Sequence, residues 1–315
     1  MKIVFFGLGS IGQRHARLLK ANYPHELFAF RSGINKSPNN LGITELNNWQ
    51  QIKKINPEVV FITNPTSLHI KTALRCAHLG AKLFIDKPIG SSLTGLDELL
   101  SVIESKKLVS YVGYNLRFHP VIINLKKYFK TNKFLHMRIT AASYLPNWRQ
   151  GTDHKKSYRS NKQMGGGIIL DLSHEIDYAD FLLEGITTIR GQFSKRSNLT
   201  INAEDYADIL INSKLGPANL HINFLSHQNQ RTIEIDFEKM TISADLINST
   251  IKKFKKEKLI SEQSFNVERD SIFKKQLEYF FKNIDNPKMT NNLTDAARLY
   301  KKIISFKNSE INKNG

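Results

Sequence analysis

The run Gly7-Leu-Gly-Ser-Ile-Gly12 has the spacing G-x-G-x-x-G, which lets a chain cradle a diphosphate. Gly7 permits a tight turn, Gly9 lets the backbone approach the phosphates, and Gly12 allows a helix to pack closely on the preceding strand. Ser10 and Ile11 add backbone N–H groups at the positive end of the helix. The same residues also suit an ordinary strand-to-helix turn, so context decides: the run directly follows the apolar KIVFF and opens IGQRHARLLK. Further along, Ala29-Phe30-Arg31-Ser32 has no carboxylate where NAD sites place an acid for the ribose 2′-hydroxyl. Arg31 can clamp a 2′-phosphate and Ser32 can add a donor, which points to NADP; if Arg31 only decorates a loop, NAD serves instead. A third cluster, Trp148 and Arg149 followed by Tyr158, combines rings with a cation. It can stack on a sugar or base and clamp an anion, or simply cover a sheet edge.

Positioning these groups needs elements, and the hydrophobic pattern supplies them. Short apolar runs at 2–6, 27–30, 59–63, 83–85 and 109–114 read as strands buried on both faces. They alternate with helical periods at 11–20, 46–54, 67–79 and 93–106. Thr66 and Ser67 are placed to cap the third helix, and Gly80 to end it. Such alternation predicts an α/β, Rossmann-type doubly wound parallel sheet over residues 1–120. Beyond Pro120 the rhythm changes. A helix at 121–129 precedes a strand at 135–142, and Gly165-Gly-Gly167 precedes a helix at 171–183. Closely spaced strands then follow at 188–193, 205–211, 218–224, 232–237 and 241–246, with a turn at Gly216-Pro217. Residues 121–315 are therefore expected to form an α+β domain with an open, mostly antiparallel sheet. Its last helices are expected at 271–284 and 293–306, and the final one can pack back on the first domain.

Four further segments carry a resemblance. Asn64-Pro-Thr-Ser-Leu-His69 follows the third strand, Asp86-Lys-Pro88 the fourth, Val112-Gly-Tyr-Asn-Leu-Arg-Phe118 forms the fifth, and Gly165 to Asp177 opens the second domain. With the glycine run, in this order, they resemble the Gfo/Idh/MocA family of glucose-fructose oxidoreductase, inositol dehydrogenase and relatives. The resemblance implies that Lys87 stands beside a nicotinamide and that Asp171 and His174 complete a catalytic site. A histidine titrating near neutrality can take a hydroxyl proton as hydride leaves the carbon. Lys87 would hold the reacting oxygen and Asp171 would orient the substrate. Asp86 stands where the family more often has Glu, and Asp171 and His174 are three apart where four is commoner. Both spacings share a face of a continuous helix. Asp171 could instead cap its helix, His174 could be a core histidine, and Asp177 reads as a supporting partner.

By the same resemblance, Asn64, Pro65, His69, Asp86 and Asn115 line the cofactor, and Arg117 joins Trp148, Arg149 and Tyr158 toward the substrate, although Arg117 could equally form an ion pair. The loop with LDLSHEIDY is similar to members that act on surface-glycan or nonulosonic sugars, which implies a nucleotide-linked or acidic sugar. Pairing through the open sheet implies a homodimer or homotetramer.

The bulk numbers fit these expectations. The chain has 315 residues, 40% of them hydrophobic, enough for two cores. Its net charge of +18 comes from lysines spread over many faces, with the densest run at 251–258 read as a solvated amphipathic edge. Neither a nucleic-acid nor a membrane partner is expected, and no apolar run reads as a signal peptide or a span, so a cytoplasmic protein is expected. The single Cys76 excludes disulfides and makes a metal site implausible, so no metal is expected. Two rival functions remain open: a non-catalytic dinucleotide-binding sensor, and a redox-neutral epimerase or glycosidase with a tightly held cofactor.

Overall fold

The computed structural model describes residues 1–31, 39–148 and 161–309. These form two compact units: Met1–Tyr114 with Phe273–Tyr300, and Asn115–Ile272 with the chain from Lys301 onward. The first unit is built on a parallel sheet of strands β1 (Lys2–Phe6), β2 (Glu26–Phe30), β3 (Thr44–Leu46), β4 (Val59–Ile62), β5 (Lys82–Ile85) and β6 (Ser110–Val112). Their order is β3-β2-β1-β4-β5-β6, so the direction of winding reverses between β1 and β4. In open α/β sheets, ligands bind at the carboxyl ends of strands at such a switch point. Strand β4 is buried throughout, and Phe61 stacks between Phe5 and Phe84 with ring centroids 4.9 and 4.5 Å away. This aromatic spine follows from strands covered on both faces.

Helices α1 (Ser10–Asn22), α2 (Trp49–Ile55), α3 (His69–His78) and α4 (Leu96–Ser105) connect the strands. Strand β3 is an addition to the five expected strands. Its sequence, Thr-Glu-Leu, has one buried residue, too little alternation to register as a strand. The helix expected from residue 46 begins instead at Trp49, because Asn48 accepts from Gln51 N and caps it. Thr66 and Ser67 do not cap α3. They lie in a 3-10 turn, and the residue that precedes α3, Leu68, offers no capping side chain. Gly80 ends α3 in the left-handed region at φ +81°, as expected.

The second unit carries an eight-stranded sheet among the described residues. Strand β7 (Phe134–Ala142) is followed by β8 (Ile186–Ser194), β9 (Tyr206–Ser213), β10 (Pro217–Asn223), β11 (Gln230–Phe237), β12 (Met240–Asp245), β13 (Thr250–Lys255) and β14 (Lys258–Ser264). The order is β14-β13-β12-β11-β7-β10-β9-β8, antiparallel except where β10 meets β7. The lysine-rich run at 251–258 contributes to the edge hairpin β13–β14, and β14 is exposed throughout. Lysines on an edge strand discourage unwanted pairing.

Helices α5 (Pro120–Phe129), α6 (Ile168–Asp171) and α7 (Ser173–Leu182) belong to this unit, and α8 (Arg269–Lys282) and α9 (Leu293–Ser309) follow late in the chain. The helix expected over 171–183 is thus two pieces, broken at Leu172 (φ −94°, ψ 26°). Among the described residues, no helix is long and apolar enough to cross a membrane.

Candidate active site

Strand β1 delivers the chain to Gly7, whose φ of +96° is unfavourable for any residue with a Cβ. A Cβ there would also meet Asn64 Cα at 2.9 Å and Thr63 O at 3.0 Å. Thr63, at the end of β4, fastens the turn by donating its hydroxyl to Gly7 O at 2.7 Å. Gly12 has no room either, since a Cβ would strike Gly7 O and come within 2.8 Å of Thr63 Oγ1. Gly9 differs: nothing lies within 4 Å of its Cβ position. Helix α1 starts there with no side-chain cap and no acidic residue in its first turn. A helix start without a side-chain cap, whose dipole no first-turn acid opposes, suits a diphosphate behind the open backbone at Gly9. The residues from Gly7 to Gly12 therefore fit a dinucleotide.

The loop after β4 lies against this turn, and the loop after β5 lies beside that loop. His69 joins them: its Nδ1 is 2.8 Å from Pro88 O and its Nε2 2.9 Å from Asn64 O. Burial, reinforced by the Lys87 charge, lowers its pKa against the pull of those carbonyls. The Asn64 amide donates to Thr72 Oγ1 at 2.9 Å, while its Oδ1 is buried without a hydrogen-bond partner among the described residues. Asp86 and Lys87 are half-buried, and the Lys87–Pro88 bond is cis. Pro65 is exposed beside them. One unit thus brings together Gly7, Gly9, Ser10, Ile11, Gly12, Asn64, Pro65, His69, Asp86 and Lys87.

Arg31 follows the end of β2, and Gly7 N donates to Phe30 O, so it stands near the glycine turn. Its guanidinium NH1 donates to Glu45 Oε1 at 2.8 Å. The strand end that lacks an acid in sequence thus acquires one from β3. Ser32, Arg149 and Tyr158 lie outside the described residues.

In the second unit, Asp171 is the last residue of α6 and is buried, 4% exposed. It does not cap α7, which starts without a side-chain cap. Asp171 and His174 therefore straddle a break and are not on one continuous helix face. Within residues 171–180, His174 alone is not fully buried, although its Nδ1 is. Its neighbours are committed to ion pairs. Arg117 grips Asp177 with two bonds of 2.8 and 2.7 Å, which assigns it the ion-pair alternative. Burial pushes the Asp177 carboxyl up despite that fork. Arg117 and Asn115 occupy a 3-10 turn beyond β6, not its end, and group with the second unit.

Sequence reasoning missed two further groups. Arg231, from β11, donates through Nε to the fully buried Glu175 Oε1 at 2.7 Å. Burial works against its charge, but Glu175, Tyr178 and Asp171 more than offset this and hold its pKa above the usual range. Glu204 lies against Gly167 (φ +113°), accepts Ile168 N through its backbone oxygen, and pairs with Lys307 from α9. Arg231, Glu204 and Lys307 belong to no local motif, and only Glu175, inside the Gly165–Asp177 segment and beside His174, offered a signal. Trp148 donates to Ser143 Oγ at 2.7 Å and packs edge-on against Phe224, covering the sheet end.

Comparison with known proteins adds the context. A model described as an oxidoreductase family with an NAD-binding Rossmann fold matches residues 1–114, and one described as a GFO/IDH/MocA C-terminal domain matches 132–243. A myo-inositol 2-dehydrogenase of Thermotoga maritima is 24% identical over 193 residues, 58% of this chain and 55% of that protein. The chain spans only 35 to 61% of the length of the curated inositol and levoglucosan dehydrogenases it matches. Two solved structures share the fold. A levoglucosan dehydrogenase in complex with NADH gives a TM-score of 0.82 at 17% identity, covering 98% of this chain and 97% of that one. A UDP-N-acetylglucosamine 3-dehydrogenase from Acidithiobacillus ferrooxidans gives 0.79 at 17%, covering 98% and 96%.

Proposed function

The chain belongs to the Gfo/Idh/MocA oxidoreductase family, and from that membership we propose that it is an NADP-preferring enzyme transferring hydride between nicotinamide and a carbon of a sugar. The observation that carries this reading is the open, uncapped start of α1 behind Gly7, Gly9 and Gly12, at the switch point between β1 and β4. A bound nicotinamide supplies the hydride acceptor or donor. Lys87 hydrogen-bonds the reacting sugar oxygen and stabilises charge developing on it. His174, the one residue of 171–180 that is not fully buried, takes or returns the hydroxyl proton. Asp171, buried and within reach of the Arg231 charge, orients the substrate.

The finer parts of the reading are a nucleotide-linked or acidic sugar of surface-glycan biosynthesis, cytoplasmic work, and pairing of two copies through the open sheet. A structural relative named for a UDP-sugar supports the first. Leu210, 54% exposed on β9 and alternating with buried Ala207, Ile209 and Ile211, supports the last.

The test is calorimetry with NAD and NADP, followed by turnover on a panel of nucleotide sugars and keto-sugars. Lys87→Ala is expected to bind the dinucleotide yet lose at least about a hundredfold in kcat. Wild-type rates in that variant would remove the lysine from the reaction, and absence of dinucleotide binding by the native chain would remove the reading.

A further inference from the structure

Strand β3 is three residues long, yet it sets the electrostatics at the edge of the dinucleotide cradle. It pairs in parallel with β2 in the register Phe28 to Thr44, Ala29 to Glu45 and Phe30 to Leu46. Strand β2 in turn abuts the glycine turn, through Gly7 N to Phe30 O at 3.0 Å. The Glu45 carboxylate is therefore one strand removed from where a Rossmann site carries its ribose-binding acid, and reaches the same strand end from the side. It accepts from Arg31 NH1 at 2.8 Å. The Arg31 side chain is only 8% exposed and that of Glu45 26%, so solvent screens the pair less than it would a surface bridge.

A guanidinium committed to a carboxylate is a poorer clamp for a 2′-phosphate, because one of its donors is already used. The carboxylate itself repels a phosphate dianion and can accept from a 2′-hydroxyl, so both effects act against NADP and for NAD.

We propose that Glu45 is a specificity-determining residue that restrains selectivity for NADP by holding Arg31. The inference rests on the dinucleotide reading above and names the group that sets its cofactor preference. Arg31 exchanges one anionic partner for another: Glu45 when the ribose carries a hydroxyl, the 2′-phosphate when NADP binds. The native preference for NADP over NAD is consequently modest.

Titration calorimetry of the full chain with NAD and with NADP tests this in four proteins: native, Glu45→Gln, Arg31→Ala and the double variant. Neutral glutamine keeps the size of the side chain and releases Arg31. The ratio of NADP to NAD affinity is expected to rise about tenfold in Glu45→Gln, the scale of one charge-assisted hydrogen bond. It should fall below native in Arg31→Ala. In the Arg31→Ala background, Glu45→Gln should change the ratio by less than about threefold, since the arginine to be released is gone and only the direct effect of the carboxylate on the ribose remains. A ratio unchanged in Glu45→Gln, with both dinucleotides still bound, overturns the role of Glu45 and leaves the dinucleotide reading standing. A full tenfold gain persisting without Arg31 overturns the holding of Arg31. Failure of the native chain to bind either dinucleotide overturns both the reading and the inference. Should Glu45→Gln lose its cooperative melt, Glu45→Ala carries the same test.

Discussion

The molecule has two glycine-rich turns that each lead into a helix, and they are used in opposite ways. At Gly7 to Gly12 the backbone is pressed against its own sheet at the first and last glycine, while the space at Gly9 is open and no side chain caps α1. At Gly165 to Gly167 the space is taken by protein: the Glu204 carboxylate lies against Gly167, and Lys307 neutralises it. The first turn leaves its helix N-terminus without a side-chain cap, and the second uses a buried ion pair beside the segment that ends in Asp171. Similar glycine runs thus leave space open in one unit and have it filled by protein in the other.

Breaking the ion pair tests the second half of that contrast and should have the largest effect. Lys307→Met strands a buried carboxylate and is expected to cost about 3–5 kcal/mol, read as a drop in urea midpoint. Dinucleotide affinity, which belongs to the other turn, should be unchanged. An unaltered midpoint would mean that Glu204 does not need its partner.

Filling the open space tests the first half. Gly9→Val meets no protein atom nearby, so stability should hold, while its bulk should weaken dinucleotide binding about a hundredfold, or 2.7 kcal/mol. Equal affinity for native and variant would show that the phosphates do not approach here.

The helix behind that turn carries a pH dependence of its own. His15 on α1 is enclosed by Phe61, Phe84 and Phe273, and burial, aided by Arg14, lowers its pKa to about 3 from 6.5. Below pH 6.5 the unfolded chain takes up a proton that the folded chain refuses, so this stability is present above 6.5 and lost as the pH falls toward 3. At pH 5 the loss is about 2 kcal/mol. His15→Leu should flatten the melting profile between pH 6.5 and 5. A residual slope of the same sign is expected from His69 and His25, whose pKa values are also lowered. A variant as acid-sensitive as the native chain would exclude His15 as the cause.

The smallest effect sharpens the fastening of the first turn. Thr63→Val removes the hydroxyl that donates to Gly7 O and keeps the shape, so about 1 kcal/mol of stability should go, with a modest loss of dinucleotide affinity. No change in either measurement would make the turn self-supporting.

Much of this was legible in sequence where the signal is local. The strand KIVFF, the glycine spacing and the helix that follows lie within one short stretch, and each fixes its own backbone. The second sheet was legible as strands and turns, Gly216 at φ +147° among them. Less legible were features that depend on distant partners. Strand β3 has too few apolar residues to announce itself and is recruited by the edge of β2. The break at Leu172 is invisible to a periodicity that runs through it. The commitment of Arg117 to Asp177 depends on residues sixty positions apart.

By itself the sequence determined two folding units of different class, a glycine turn able to meet a diphosphate, and a family. Backbone conformation and hydrophobic period are short-range properties, so residue order suffices to encode them. Only the tertiary structure decided which charges face one another: Glu45 against Arg31, Arg231 against Glu175, Lys307 against Glu204. A side chain's electrostatic surroundings are assembled from strands and helices far apart in the chain, and those encounters exist only once the sheets have formed.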